Sequence, residues 1–174
     1  KASSYITPLI VKLNIWNDDE FYIKEMEHQI ILALFFGAMI ILALYNLFIY
    51  FFTKDVSYLF YVLYIVGIIT HQLVYVGIGS IYIFSHDAIV NIIENASILV
   101  SFPIFALALF TRTFLQTKQY PIFNKILTTY LIAIPLSILF FNISGLFLGF
   151  RNTFFISLML FLFILTIYAA FKRN

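Results

Sequence analysis

Five polar residues stand where an apolar chain has least use for them: His71, Gln72, Glu94, Asn95 and Asn142. Each lies within or at the end of a long apolar run. Ionisable groups in such runs are costly, and they turn toward a bundle interior or a wet cavity. An imidazole, a carboxylate and three amides suit the binding of a small polar molecule, and a His71–Glu94 pair suits proton sensing. The competing reading is structural: these groups hydrogen-bond neighbouring helices, or Glu94 sits hydrated at headgroup level. His71 with Glu94 alone is no metal centre, since the usual zinc site takes at least three protein ligands. No P-loop, HExxH, GxSxG or dinucleotide glycine fingerprint accompanies them. The chain has no cysteine, which removes disulfides, thiolate ligands and cysteine nucleophiles. No catalytic residue, metal or cofactor is therefore assigned.

A second group fits helix packing or signal relay. Asn46 lies deep in the first apolar run and reads as an interhelical hydrogen-bonding residue. Glu94, Ser97, Ser101, Ala108 and Arg112 recur at helical spacing, and small or polar residues on one stripe mark helix interfaces in membranes. Phe105 fills the gap in that stripe, and Pro103 in the same span would kink the helix and free a carbonyl.

Long apolar helices must position these residues. The 174-residue chain is 63% hydrophobic and 10% charged, whereas soluble domains average about 25% charged. The class is an integral membrane protein. A spanning helix takes roughly 20 apolar residues, and five segments qualify: Gln29–Phe52, Val56–Gly77, Ala88–Arg112, Ile126–Leu146 and Thr153–Phe171. They are too long and continuous for barrel strands of ~10 alternating residues. The expected fold is an all-α membrane bundle. On that register His71, Gln72, Glu94, Asn95 and Asn142 fall in the outer half, where one outward-opening pocket would collect them. The sequons at Asn95 and Asn142 lie in or at spans and are discounted.

Orientation follows from the loops. Lys54, Arg112, Lys118, Lys125, Lys172 and Arg173 fall on one side. Arg151 is the one basic residue in the short loops on the other. The positive-inside rule then places the N-terminus outside and the C-terminus in the cytoplasm. The formal net charge of +2 is too small to suggest a nucleic-acid partner. Tyr50, Tyr58 and Tyr61 fall near the inner boundary and Tyr75 and Tyr82 near the outer one, as interfacial aromatic residues do. Ahead of the first span, Val11–Ile15 alternate as a strand. One strand is not stable alone, so residues 1–17 read as the tail of an outer domain and 18–174 as the helical domain. Asn17 and Glu20 form a capping-box pattern, so one helix is expected from Asp18 to Phe52. "KASSYITPLI" has no apolar core of a signal peptide. The chain opens at Lys1 and closes on an apolar run, and it reads as a segment of a longer protein.

The order of these features resembles a known family, the bacterial seven-transmembrane receptors with diverse intracellular signalling modules. The resembling stretches are "FFGAMIILALYNLFIYFFTKDVSYLFYVLY", "YVGIGSIYIF" and "FTRTFLQTKQYPIFNKIL". The last carries an arginine, a Phe-Leu pair, a proline and a basic residue leading into span four. The resemblance implies an inner-membrane, multi-pass receptor with five of seven spans in this segment. It implies an outer small-molecule ligand, carbohydrate-like in character, and a cytoplasmic kinase, cyclase or other output module elsewhere in the protein. A homodimer fits outputs that need paired modules, and the bilayer is the remaining partner. The alternative is a transporter fragment with the same outer pocket, which would favour broken helices and inverted repeats. The sequence displays no convincing internal repeat.

Overall fold

The computed structural model describes residues 17–79, 85, 96–144 and 148–173, with the side chains of 18–19, 96–97, 140–152 and 169–173 left aside. Five α-helices account for them: α1 (Asp18–Thr53), α2 (Val56–Tyr75), α3 (Ala96–Phe114), α4 (Pro121–Ser144) and α5 (Leu148–Arg173). A single 3₁₀ turn at Thr117–Gln119 joins α3 to α4. There is no strand among the described residues. The strand expected at Val11–Ile15 lies outside them, as do Ala88–Asn95 of the third expected span. Helices are the open-chain structure that satisfies its own backbone in lipid. Three described helical stretches, Glu20–Thr53, Val56–Tyr75 and Pro121–Leu139, are long and apolar enough to cross a membrane. Ile98–Phe114 and Thr153–Tyr168 are shorter apolar stretches.

The chain divides into two compact units, residues 1–40 and 41–174. In the first, the helix opens with Phe21 N–H donating to the Asn17 carbonyl at 2.9 Å. Its charged residues stop at Glu27; from Gln29 to Thr53 the sequence has none. Gln29 Nε2 donates to Glu25 Oε1 at 3.2 Å, one turn back.

The second unit begins with the last turns of α1. Lys54 N–H donates to the Tyr50 carbonyl at 2.8 Å, with Lys54 left-handed at φ 56°. That conformation closes a helix and usually falls to glycine. Thr53 Oγ1 bonds back to the Ile49 carbonyl at 3.0 Å and accepts from Asp55 N–H at 3.3 Å. Asp55 then caps α2 by accepting from Ser57 N–H at 2.9 Å, satisfying a donor that helix geometry leaves orphaned. Beyond Val76, Gly77 takes φ +86° and stops α2.

Helices α2 and α3 run antiparallel. Tyr61 near the start of α2 meets Phe110 near the end of α3, ring centres 5.2 Å apart. Farther along, Gly67 meets Pro103. A Cβ built on Gly67 would lie 2.9 Å from Phe102 Cδ1 and 2.9 Å from Pro103 Cβ. The helices touch at van der Waals distance because one of them has no side chain there. Pro103 is buried, and so are Ser101, Ala106 and Ala108 on α3. Small residues permit such close approach in the absence of a hydrophobic drive between helices.

Helix α3 also faces α4 and α5. Ile104 and Ala108 of α3, Leu127, Leu131 and Ile134 of α4, and Phe155, Leu158, Leu162 and Leu165 of α5 form one core. The three- and four-residue spacings on α4 and α5 make one stripe per helix. An aromatic ladder seals α4 on α5: Tyr130 meets Phe154 and Phe161, and Phe123 meets Phe161 and Tyr168. These partners recur every seven residues and also run antiparallel. Tyr130 Oη and Ser157 Oγ add a hydrogen bond of 3.2 Å. The opposite faces stay apolar and open, with Ile132, Leu136 and Leu139 on α4 and Leu160, Phe163 and Ile164 on α5. A continuous apolar face of this kind suits lipid rather than water.

The Gly67 contact sets a testable limit. Gly67→Ala should destabilise the whole protein by about 1–3 kcal/mol relative to Gly37→Ala, since a Cβ at Gly37 meets nothing within 4 Å. The comparison cancels the helix-propensity gain common to both. Thermal unfolding in a membrane mimetic measures it, and equal melting temperatures would refute the contact.

Candidate functional site

The last turn of α2 carries His71 and Gln72. Both are half-buried. The His71 ring stacks parallel to Tyr75, one turn on, with centres 6.1 Å apart and planes 9° from parallel. The Gln72 carbonyl accepts from Val76 N–H at 2.9 Å and so belongs to the helix end. Adjacent residues point about 100° apart on a helix, so the two side chains do not share one direction. Glu94 and Asn95 lie outside the described residues. Asn142 is in the last turn of α4, but its side chain is outside the description. Of the five-residue polar pocket, His71 and Gln72 are thus the members with described side chains. Among the described residues, no group of three His, Asp or Glu side chains could hold a metal ion.

Asn46 is 8% exposed. Its Nδ2 donates to the Leu42 carbonyl at 2.8 Å, one turn back in α1. The hydrogen bond is within the helix, whereas the sequence suggests one between helices. It uses Nδ2 and leaves the amide oxygen Oδ1 for other partners. A deeply placed amide is costly unless paired, so this second atom makes Asn46 sensitive to rearrangement of whatever covers it.

On α3, Ser97 lies in the first turn, with its side chain outside the description. Ser101 and Ala108 are buried and Arg112 is half-buried. Thr111, not Arg112, completes the buried line, and its Oγ1 bonds to the Leu107 carbonyl at 2.9 Å. Other helix hydroxyls do the same: Thr70 bonds to Val66, Thr128 to Asn124 and Thr166 to Leu162. Each satisfies its proton on its own helix. Pro103 removes a helix N–H, and it is also the surface that Gly67 packs against.

The α3–α4 turn is the most closely organised polar feature. Gln116 is left-handed at φ 48° and ψ 48°. Thr117 is fully buried, and its Oγ1 donates to Asn124 Oδ1 at 3.1 Å. Gln119 Nε2 donates to Gln116 Oε1 at 2.8 Å. Pro121 begins α4, a position where its missing N–H costs nothing. Lys118 and Lys125 stand exposed beside the Thr117–Asn124 bond. The antiparallel pairings bring the α1–α2 turn and the α3–α4 turn to one end of the second unit, and Tyr120 meets Tyr168 of α5 there at 5.8 Å. Lys54, Arg112, Lys118 and Lys125 therefore share one end, and His71 lies toward the other.

Sequence reasoning overlooked Gly67 and the Thr117–Asn124 bond. A lone glycine mid-span was the available signal for the first. A threonine and an asparagine flanking Tyr-Pro were the signal for the second. Thr117→Val keeps the shape and deletes the donor. It should cost the whole protein about 0.5–1.5 kcal/mol by deleting the hydrogen bond to the half-buried Asn124, read as a lower melting temperature; an unchanged one would show that the turn does not need the bond.

No curated protein and no solved structure matches the chain. A family model described as 7TM diverse intracellular signalling matches residues 28–174. The matched stretch takes in most of α1 and all of α2, α3, α4 and α5, well over half of the chain. On this match the chain belongs to the 7TM diverse intracellular signalling family, 7TMR-DISM.

Proposed function

We propose that the chain is the membrane region of a bacterial receptor that carries an outer small-molecule signal to a cytoplasmic output module. The observation that carries this reading is the family match over residues 28–174, on a bundle whose apolar faces suit lipid. In this reading the chain crosses the inner membrane five times, the described parts of α3 and α5 belonging to longer spans. Support for the orientation is the gathering of Lys54, Arg112, Lys118 and Lys125 at one end, which the positive-inside rule assigns to the cytoplasm. The N-terminal charged turns of α1 then stand outside, with residues 1–17 as the tail of a sensory domain. The ligand is carbohydrate-like or another small polar molecule. Catalysis belongs to the output module and not to this segment, and paired modules favour a homodimer.

Relay requires an element with two arrangements that the signal biases. Helix α1 enters from the outer side, and it carries the buried Asn46, whose Oδ1 the Leu42 bond does not use. Any shift of α1 changes what Oδ1 meets, so the two arrangements differ in hydrogen bonding at this point.

The test is made in the whole receptor. Asn46→Leu removes the acceptor and keeps the bulk, and it should shift basal output by roughly two- to thirtyfold, the range of residues that modulate coupling. Unchanged basal and stimulated output, with normal membrane insertion, would exclude Asn46 from the relay.

A further inference from the structure

The basic end of the bundle has more positive charge than the described residues beside it can neutralise. From Asn95 to Asn174 there is no Asp or Glu, while Arg112, Lys118, Lys125, Arg151, Lys172 and Arg173 all fall in that stretch. Among the described residues the acid at this end is Asp55, and its carboxylate already caps α2 through Ser57 N–H. Lys54 is exposed and stands 5.7 Å over the Phe51 ring. Arg112 is half-buried, so its side chain is held against the bundle at this end, and the adjoining sequence has no carboxylate to answer its charge.

We infer that this end is a binding site for the phosphate of anionic phospholipids, with Arg112 as its anchor and Lys118 and Lys125 at its sides. The inference rests on the membrane location proposed above. The planar guanidinium matches two phosphate oxygens at once, and ammonium groups add point charge. The Thr117–Asn124 bond brings the backbones of Lys118 and Lys125 together, and the Gln116–Gln119 bond holds the turn between α3 and α4. A turn already held by hydrogen bonds has less backbone freedom left to lose on binding. Tyr120 on the same turn has the amphipathic ring that prefers headgroup depth. Lipid is the source because the site flanks the ends of apolar helices, at the level where headgroups lie.

The test uses the whole protein in phosphatidylcholine nanodiscs, with phosphatidylglycerol titrated in and thermal stability read at each composition. Incorporation into phosphatidylcholine discs alone checks the membrane reading separately. The wild type should gain stability with a saturable dependence on phosphatidylglycerol. Lys118→Gln should weaken the apparent affinity about fivefold, and Arg112→Gln/Lys118→Gln/Lys125→Gln roughly a hundredfold. Lys118→Arg/Lys125→Arg should retain it, and Arg151→Gln, outside this end, should leave it unchanged. The exposed Lys118→Gln variant keeps the test decisive if the triple variant fails to fold. Equal affinity in wild type and Lys118→Gln overturns the inference. So does the same stabilisation by inorganic phosphate in discs without phosphatidylglycerol, which would mark a free-anion site. Loss of the effect when soluble parts of the protein are cleaved away would assign the basic end to a protein contact and overturn it as well.

Discussion

The second unit depends on how closely α2 and α3 approach. At Gly67 the two helices touch with no side chain between them, and Pro103 supplies a rigid opposing surface. A proline cannot rotate away, so the distance between the helices is fixed at that crossing. Helix α3 then presents its other side to α4 and α5, where Ile104 and Ala108 enter the shared core. A change in the α2–α3 distance would move both faces of α3 together. Lipid gives little preference for one apolar contact over another, so shape carries the specificity that burial carries in water.

The two ends of this unit differ in chemistry. At one end the turns are short and saturated with local hydrogen bonds, with Lys54 and Gln116 both in left-handed conformation. Neither is a glycine, so each is held by its surroundings: the Asp55 cap on one side and the buried Thr117 on the other. At the other end α2 closes on His71, Gln72 and Gly77. The receptor role proposed above would need a firm end from which motion is read and an end that a signal can reach. That division follows the distribution of caps and basic residues along the chain.

Much of this was legible in the residues themselves. The helix from Asp18 needed only the Asn17 cap signal and an uncharged run, and α1 spans Asp18–Thr53. The second span was expected to end at Gly77; α2 ends at Tyr75, and Gly77 is the left-handed residue that stops it. Helix α4 starts at Pro121, five residues before the expected Ile126, because proline at the first helical position extends the helix through polar residues that a hydropathy window passes over. Gly67 was not legible, since its meaning depends on Pro103 lying opposite, and one sequence does not state which residues oppose. Asn46 was recognised as significant, but a single amide does not reveal whether it turns to its own helix or another. For the outer pocket, the residues pointed to a shared depth, and Glu94 and Asn95 lie outside the described structure.

The account turns on which side of the membrane each end occupies. The chain has no cysteine, so a single cysteine introduced into it is its one thiol, with any cysteine elsewhere in the whole protein replaced by serine. Glu25→Cys and Lys118→Cys, treated in intact cells with a maleimide that does not cross the inner membrane, measure it directly. The account predicts that the cysteine at position 25 reacts from outside, and the one at position 118 reacts only after the inner membrane is opened. The reverse pattern, or reaction of both from one side, would contradict a bundle that carries an outer signal to a cytoplasmic basic end.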